Sequence, residues 1–183
     1  MSSNQSISKD TNAPVFILAP YLYLGPRTAA SPASVRANDF THVLTIGSTS
    51  PPKGPHTNNV IYRRIPLSHY PSSERIKDAI DIANNFIEST RALKNGKVLV
   101  HCTAGVSRSP TIIVVYLMRA YGMSLKDALG MVIRARPSAN PNQVLLQRLK
   151  EVEVTFRGKS SLEIDVLPTK KSERLALFSL HDV

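Results

Sequence analysis

One stretch, residues 97–118, most constrains how this chain can fold. It opens with an apolar, β-branched run that ends at His101, passes through a short loop containing Gly105, and is apolar again from Pro110 to Met118. The first run predicts a strand. The last predicts a helix buried on nearly every side, with Pro110 in the first turn, where no backbone N–H is needed. A strand joined by a tight loop to a buried helix is typical of the centre of an α/β protein.

The rest of the chain alternates between short apolar runs and longer helical patterns. Apolar residues recur with helical spacing over 76–87 and 125–133, and Ser124 with Asp127 forms a capping box before the second pattern. A further helix is predicted from about 141 to 156. We therefore predict an α/β fold with a central, mostly parallel sheet flanked by helices. The predicted strands are 15–18, 21–24, 42–46, 60–62 and 97–101.

The 183 residues suit one folded domain with a short extension at each end. We predict a polar, flexible arm over 1–13, the folded domain over 14–156 and a tail over 157–183. An apolar patch around Phe178 in the tail has three interpretations: a short helix, a segment that binds a partner, or a tail that packs on its own domain.

Cys102 is the only cysteine of the chain. A single cysteine cannot form an internal disulfide or a multi-cysteine zinc site. The polar start MSSNQSISKD predicts no secretory signal, position 2 is Ser, and no apolar run approaches the roughly 20 residues that cross a bilayer. We therefore expect a cytoplasmic or nuclear protein without a membrane anchor.

The net charge of +10 lies almost entirely between residues 14 and 153. A basic domain attracts nucleic acid, anionic membranes or anionic substrates, because its summed positive field draws all three. No cluster that combines aromatic and basic residues for base stacking is visible, so no nucleic-acid partner is expected.

The loop over residues 102–108, which we call the phosphate loop, is suited to bind an anion. Gly105 allows it to wrap tightly, so that successive backbone N–H groups point inward, and the following helix adds the positive end of its dipole. These donors would hold phosphate oxygens and lower the pKa of the Cys102 thiol below about 8.5. A nucleophilic thiolate beneath a phosphate cradle predicts phosphoryl transfer. The predicted substrate-binding residues are Thr103, Ala104, Gly105, Val106, Ser107 and Arg108.

Three neighbours of Cys102 receive roles from their chemistry. Arg108 reaches back over the loop with a planar guanidinium that holds two phosphate oxygens at once, as Lys cannot. Ser109 donates a hydrogen bond to the thiolate and helps it leave, and His101 orients the loop rather than acting as a base. The alternative, that Cys102 is only a small buried side chain, does not account for the spacing of His101, Cys102, Gly105 and Arg108.

The sequence HCTAGVSRSP at 101–110 resembles the signature loop of cysteine-dependent dual-specificity protein phosphatases, of the small, atypical type. The segments PYLYLG at 20–25, HVLTIG at 42–47 and RPSANPN at 136–142 are similar to further parts of the family, so that the resemblance covers roughly 14–154. It implies the family's sheet-and-helix fold and dephosphorylation of Tyr, Ser and Thr. It also implies a two-step mechanism through a cysteinyl-phosphate, with no metal or other cofactor.

One position departs from the family pattern. The family supplies a general acid, Asp, from a loop about thirty residues before the nucleophile, which matches the stretch RIPLSHYP at 64–71 here. We call its residues 66–71 the acid loop. The matching residue is His69, which could donate a proton because its ordinary pKa of about 6.5 lies near working pH. Glu74 and Asp78, slightly later in the chain, are alternatives, and so is a site with no dedicated acid.

Three functions remain for such a chain. The leading one is a phosphatase whose partners are phosphorylated proteins, and the second is a phospho-binding module with weak turnover. The third, an enzyme acting on an inositol lipid or an RNA 5′ end, is disfavoured because the variable positions of the phosphate loop carry no Lys or further Arg. His42, His56 and His181 lack the spacing of metal ligands, so no metal site is predicted.

Overall fold

The computed structural model describes residues 12–48 and 59–179. Of the predicted arm over 1–13, only Asn12 and Ala13 belong to these ranges. His56 and His181 also lie outside the described residues.

Five strands in these ranges form one sheet in the order β1-β2-β5-β3-β4. The outer pair β1–β2 is antiparallel, whereas β2–β5, β5–β3 and β3–β4 are parallel, which confirms the predicted, mostly parallel sheet. Strand β5 lies at the centre and is buried along its whole length. The strands are β1 (Val15–Leu18), β2 (Leu22–Gly25), β3 (His42–Ile46), β4 (Ile61–Ile65) and β5 (Val98–His101).

The longer helices lie where the apolar spacing predicts them, and each extends beyond the predicted pattern at one end or both. The capping box before α4 is present, since the Ser124 hydroxyl accepts from the Asp127 amide. The sequence analysis missed α1 and a 3-10 helix (Arg27–Ala30), because four to six residues are too few to show a helical period. The described helices are α1 (Pro32–Ala37), α2 (Ser73–Arg91), α3 (Arg108–Tyr121), α4 (Leu125–Ala135), α5 (Gln143–Arg157) and α6 (Lys171–Leu177).

The two faces of the sheet are covered unequally. On one face α2, α3, α4 and α5 pack over alternate strand residues such as Leu24, Leu44 and Val100. On the other, α1 and the 3-10 helix cover a small cluster that includes Val43 and Leu99. Burial on both faces explains why β5 reads as a continuous apolar run. Within the described ranges, no helix is long and apolar enough to cross a membrane.

The phosphate loop begins where β5 ends and finishes at the start of α3. In open α/β sheets, ligands bind at the carboxyl ends of the parallel strands. Because β3 and β5 run parallel and end side by side, the residues that follow them meet at this same edge. The fold therefore places Cys102, Gly47 and the amino terminus of α3 around one point.

Candidate active site

Cys102 sits at the base of the phosphate loop with only 4% of its surface exposed. The Ser109 hydroxyl donates a hydrogen bond to its sulfur at 3.2 Å. Ser109 is fully buried in the first turn of α3, so the hydroxyl is held at the sulfur. The structure thus brings together the predicted nucleophile and the residue predicted to stabilise it.

Backbone N–H groups complete the surroundings of the thiolate. Burial by itself raises the pKa of Cys102, but the Ser109 hydroxyl and the amides of Ser109, Gly105 and Val106 donate to the sulfur, and the pKa is lowered overall. The N-cap residue of α3, Ser107, makes no side-chain cap, which leaves the first amides of the helix for an anion. The predicted anion cradle with a charged sulfur is therefore present in the geometry.

The back of the phosphate loop is fixed against the end of β2. Gly105 has a φ of +65°, and a side-chain carbon there would lie 2.6 Å from the carbonyl oxygen of Gly25. The Arg27 amide donates to the carbonyl oxygen of Thr103 at 3.0 Å. Only glycine fits at 105, because both the backbone conformation and the close approach exclude a side chain.

Arg136 supports the loop from the other side, a role that the sequence analysis did not assign. Its Nε donates to the carbonyl oxygen of Gly105 at 2.9 Å, and its Nη2 donates to that of Ala104 at 3.1 Å. With the carbonyls held outward, the amides of the loop point toward the anion site. A lone Arg between a helix and Pro137 gave no sequence signal beyond its place in the RPSANPN segment.

The segment that follows Arg136 adds two further ties. The Asn140 amide donates to the carbonyl oxygen of Val106 at 2.6 Å, and the Asn142 amide donates to the Ser107 hydroxyl at 3.1 Å. Ser107 is therefore engaged by the backbone and serves the shape of the loop. All six predicted substrate-binding residues lie in the cradle, although the side chains of Thr103 and Ala104 are exposed and both residues shape it through their backbone carbonyls.

Arg108 lies across the mouth of the phosphate loop and is only 7% exposed. Nη2 donates to the Thr103 hydroxyl at 3.2 Å and Nη1 to the carbonyl oxygen of Leu67 at 3.4 Å. Its buried Nε has no hydrogen-bond partner among the described residues. A buried cationic donor without an acceptor favours an anionic ligand, and Nε with Nη2 offers the paired donors that phosphate takes.

His101 is fully enclosed and uncharged. Its Nδ1 donates to the carbonyl oxygen of Cys102 at 3.2 Å, and its Nε2 accepts from the Thr45 hydroxyl at 2.8 Å. Burial, reinforced by the charge of Arg27, lowers the pKa of His101 to about 4. With both ring nitrogens engaged, His101 orients the nucleophile from below.

The acid loop is attached to the site by its backbone. Asn142 Nδ2 donates to the carbonyl oxygen of His69 at 2.9 Å, and Leu67 accepts from Arg108. The His69 side chain is exposed, and partial burial together with the charge of Arg108 lowers its pKa below 6.5. The structure thus places His69 near Arg108, as an acid loop requires, but favours the neutral imidazole at neutral pH.

Glu74 and Asp78 lie on the exposed face of α2. Glu74 is in the first turn, where a carboxylate stabilises the positive end of the helix dipole. No described contact joins either residue to the phosphate loop.

No group of three or more His, Cys, Asp or Glu side chains in the described ranges is placed to hold a metal ion. His42, the one predicted non-ligand histidine that the structure describes, is buried. Its Nδ1 lies 2.8 Å from the Thr41 hydroxyl, and its ring packs edge-on against Phe86.

Comparison with known proteins agrees with this geometry. Residues 22–155 match the family described as dual specificity phosphatase, catalytic domain. The chain is 36% identical over 150 residues to dual specificity protein phosphatase 1 of Arabidopsis thaliana, covering 81% of this chain and 73% of that protein. It is also 36% identical to human dual specificity protein phosphatase 7, of which it spans only 35%. It covers about a third of two other relatives, from Dictyostelium discoideum and Drosophila melanogaster.

Solved structures show the same fold. The crystal structure of DUSP15 superimposes with a TM-score of 0.68 at 33% identity, covering 80% of this chain and 92% of that one. The human tyrosine phosphatase-like serine/threonine/tyrosine-interacting protein gives a TM-score of 0.69 at 26% identity, covering 79% of this chain and 98% of that one.

The chain therefore belongs to the dual specificity phosphatase family and carries its cysteine-dependent catalytic domain. The resemblance and the fold predicted from the sequence are both confirmed.

Proposed function

We propose that this protein hydrolyses phosphotyrosine, and phosphoserine or phosphothreonine, in other proteins through a cysteinyl-phosphate intermediate. One observation supports it most: a Cys102 thiol with a lowered pKa lies under inward amides, beside a buried Arg108 whose Nε has no hydrogen-bond partner among the described residues. Family membership favours turnover over the phospho-binding alternative. The groups named for this chemistry lie on one chain, so the proposed function requires no particular oligomeric state.

In the first step the Cys102 thiolate attacks phosphorus, a sulfur–phosphorus bond forms, and the bond from phosphorus to the substrate oxygen breaks. Arg108 and the loop amides hold the non-bridging oxygens and stabilise the charge that moves onto them. In the second step water attacks phosphorus, inorganic phosphate leaves, and Cys102 is released as a thiolate. Ser109 stabilises that thiolate, which makes it a better leaving group.

The departing oxygen needs a proton, and we propose that His69, which is exposed and senses the charge of Arg108, provides it. Because partial burial and the charge of Arg108 lower the pKa of His69 below its ordinary value, the protonated ring is the minor form at neutral pH. A phenol, with a pKa of about 10, leaves more easily without a proton than an alcohol does. We therefore propose that phosphotyrosine and other aryl esters are hydrolysed faster than phosphoserine or phosphothreonine.

For the partners and the compartment, the charge and the thiol support one proposal. The net charge of +10 steers acidic phosphoproteins toward the domain. Cys102 reacts only while reduced, which favours the cytoplasm or the nucleus.

The direct test measures phosphate release from matched phosphotyrosine and phosphothreonine peptides by the wild type, Cys102→Ser and Ser109→Ala. We expect release by the wild type and none by Cys102→Ser, which keeps the cradle and still binds the peptides. Acid quenching of labelled substrate should trap label on Cys102, and more of it in Ser109→Ala, because the second step is slowed. Tight peptide binding by the wild type without phosphate release would instead establish the phospho-binding module.

A further inference from the structure

The chain after α5 folds back onto the catalytic domain. Glu153, only 1% exposed, accepts from the Ser161 amide at 2.7 Å, from its hydroxyl at 2.8 Å and from the Leu125 amide at 2.7 Å. Leu162 and Leu167 are buried in the main core beyond this point. One buried carboxylate thus joins the start of α4 to the start of the C-terminal segment, residues 158–179.

The far end of this segment packs on α4. Phe178 is 3% exposed and lies against Gly130, where an added side-chain carbon would be 3.2 Å from the phenylalanine ring. Arg134 Nη1 donates to the carbonyl oxygen of Phe178 at 2.7 Å. Helix α6 is therefore held at its carboxyl end by both an apolar contact and a hydrogen bond.

Arg174, in the middle of α6, is a buried cation whose described partners are all carbonyl oxygens. Nη1 donates to Pro168 at 2.6 Å and to Thr169 at 2.7 Å, and Nη2 donates to Pro137 at 3.0 Å. Burial lowers its pKa, as expected for a guanidinium away from water. Its buried Nε has no hydrogen-bond partner among the described residues, so the bonds from Nη1 and Nη2 to these three carbonyls carry the whole compensation for burying the charge.

The Pro137 carbonyl is the important acceptor, because Pro137 follows Arg136. Arg136 holds the Gly105 and Ala104 carbonyls, and the Asn140 amide holds Val106. A continuous series of direct hydrogen bonds and one peptide unit therefore runs from α6 to the phosphate loop. The family match ends at residue 155, so α6 lies outside the matched catalytic domain.

We propose that Arg174 of the C-terminal helix is a positioning residue for the phosphate loop, acting through Pro137 and Arg136 on the amides that stabilise the Cys102 thiolate. The proposal rests on the proposed function for its effect on turnover. Its effect on the thiolate can be measured without any turnover.

The test uses the full chain and the only thiol that it contains, Cys102. The rate of alkylation by iodoacetamide is measured against pH, together with kcat for an aryl phosphate and the thermal midpoint. The variants are Arg174→Ala, Arg174→Lys and Phe178→Ala. The last of these removes the apolar contact between the end of α6 and α4, while Arg174 remains. Lys171→Ala, on the exposed face of the same helix, is the matched control.

We expect Arg174→Ala and Phe178→Ala to move the midpoint of the alkylation profile to higher pH and to lower kcat by about 3- to 10-fold, since small displacements of a catalytic geometry have effects of this size. Arg174→Lys should recover part of both, and Lys171→Ala should match the wild type. If Arg174→Ala does not fold, the alkylation profile and the kcat of Phe178→Ala decide whether the proposal holds.

A lower thermal midpoint with an unchanged alkylation profile and unchanged kcat would reduce Arg174 to a structural role and overturn the proposal. A wild type that has a low-pKa thiol but releases no phosphate would reject the proposed function alone. Failure of the two proposals is therefore distinguishable.

Discussion

The phosphate loop and the acid loop both contact Arg108, but they are held in different ways. The phosphate loop is tied on every side: Arg27 and Asn140 donate amides to it, Arg136 donates a guanidinium, and Gly105 fits tightly against β2. Arg108, Asn142 and Arg148 donate to backbone carbonyls of the acid loop, and Leu67 is buried in the core, but the side chains at 68–70 are exposed.

The difference reflects what each loop must do. Binding a phosphate needs many N–H groups fixed at once, because each contributes only when preorganised. Delivering a proton needs one titratable group in reach, whose identity the backbone ties leave open. Where the family resemblance implies Asp, this chain has His69, and the hydrogen bonds that hold the loop go to backbone carbonyls rather than to that side chain.

The largest expected effect comes from the group that both loops share. Arg108→Lys removes the paired donors and leaves a point charge, so we expect kcat to fall by about 10²-fold or more. Steady-state kinetics on an aryl phosphate measure it, and Arg36→Lys, on the exposed face of α1, is the control that should stay close to the wild type. A loss of less than about 3-fold would mean that the loop amides alone bind the transition state.

Substitutions at His69 should alter proton donation from the acid loop and leave the phosphate loop unchanged. We expect His69→Ala to lower kcat/KM for a phosphothreonine peptide at pH 6 by about 10-fold, and for an aryl phosphate by less, since general acid catalysis matters most for poor leaving groups. The wild type should lose rate as pH rises through the lowered pKa of His69, because the acid form disappears. His69→Asp should move that alkaline limb to lower pH.

The outcome for the acid loop is decided by the pH profile. Equal pH profiles for the wild type and His69→Ala would show that His69 is not the acid. The firmly held phosphate loop would then lie beside an acid loop whose His69 supplies no proton.

A smaller effect on kcat is expected at Gly47, which follows β3 and lies against Arg108. Gly47 has a φ of +127°, and an added side-chain carbon would meet Arg108 Nη1. We expect Gly47→Ala to destabilise the fold by about 1–3 kcal/mol and to lower kcat several-fold by displacing the guanidinium. Gly122 also has a positive φ, but no atom of the described residues lies within 4 Å of an added side-chain carbon, so Gly122→Ala should lose stability without losing kcat.

His101 should affect stability more than turnover. Its pKa is about 4 in the folded protein and about 6.5 when unfolded, so the unfolded state binds the proton first as pH falls. Its stabilising contribution is complete above pH 6.5 and is lost toward pH 4. We expect the free energy of unfolding to fall by about 2 kcal/mol more between pH 7 and pH 5 in the wild type than in His101→Asn, as measured by urea denaturation.

An equal pH dependence in both proteins would show that His101 is not kept neutral by its surroundings. His101 would then hold the phosphate loop less firmly than the hydrogen bonds of its ring indicate.

Some of the fold could be predicted because its signals are local. Strand β5 and helix α3 are apolar runs with a glycine loop between them, and the cap of α4 is a short motif at fixed spacing. The 3-10 helix and α1 were missed, because so few residues carry no period and are stabilised by packing on the sheet. The folding of the C-terminal segment onto α4 was one of three open interpretations, since its contacts join residues far apart in the chain.

The sequence by itself determined the nucleophile, the arginine and the loop between them, because Cys102, Gly105 and Arg108 lie within one short loop, close together in the chain. Only the tertiary structure decided that Arg136 holds the loop carbonyls, that Gly47 makes room for the guanidinium, and that Arg174 reaches Pro137. Those roles depend on distances between separate elements. A residue type and its neighbours in the chain do not specify such distances until the sheet and the helices have packed together.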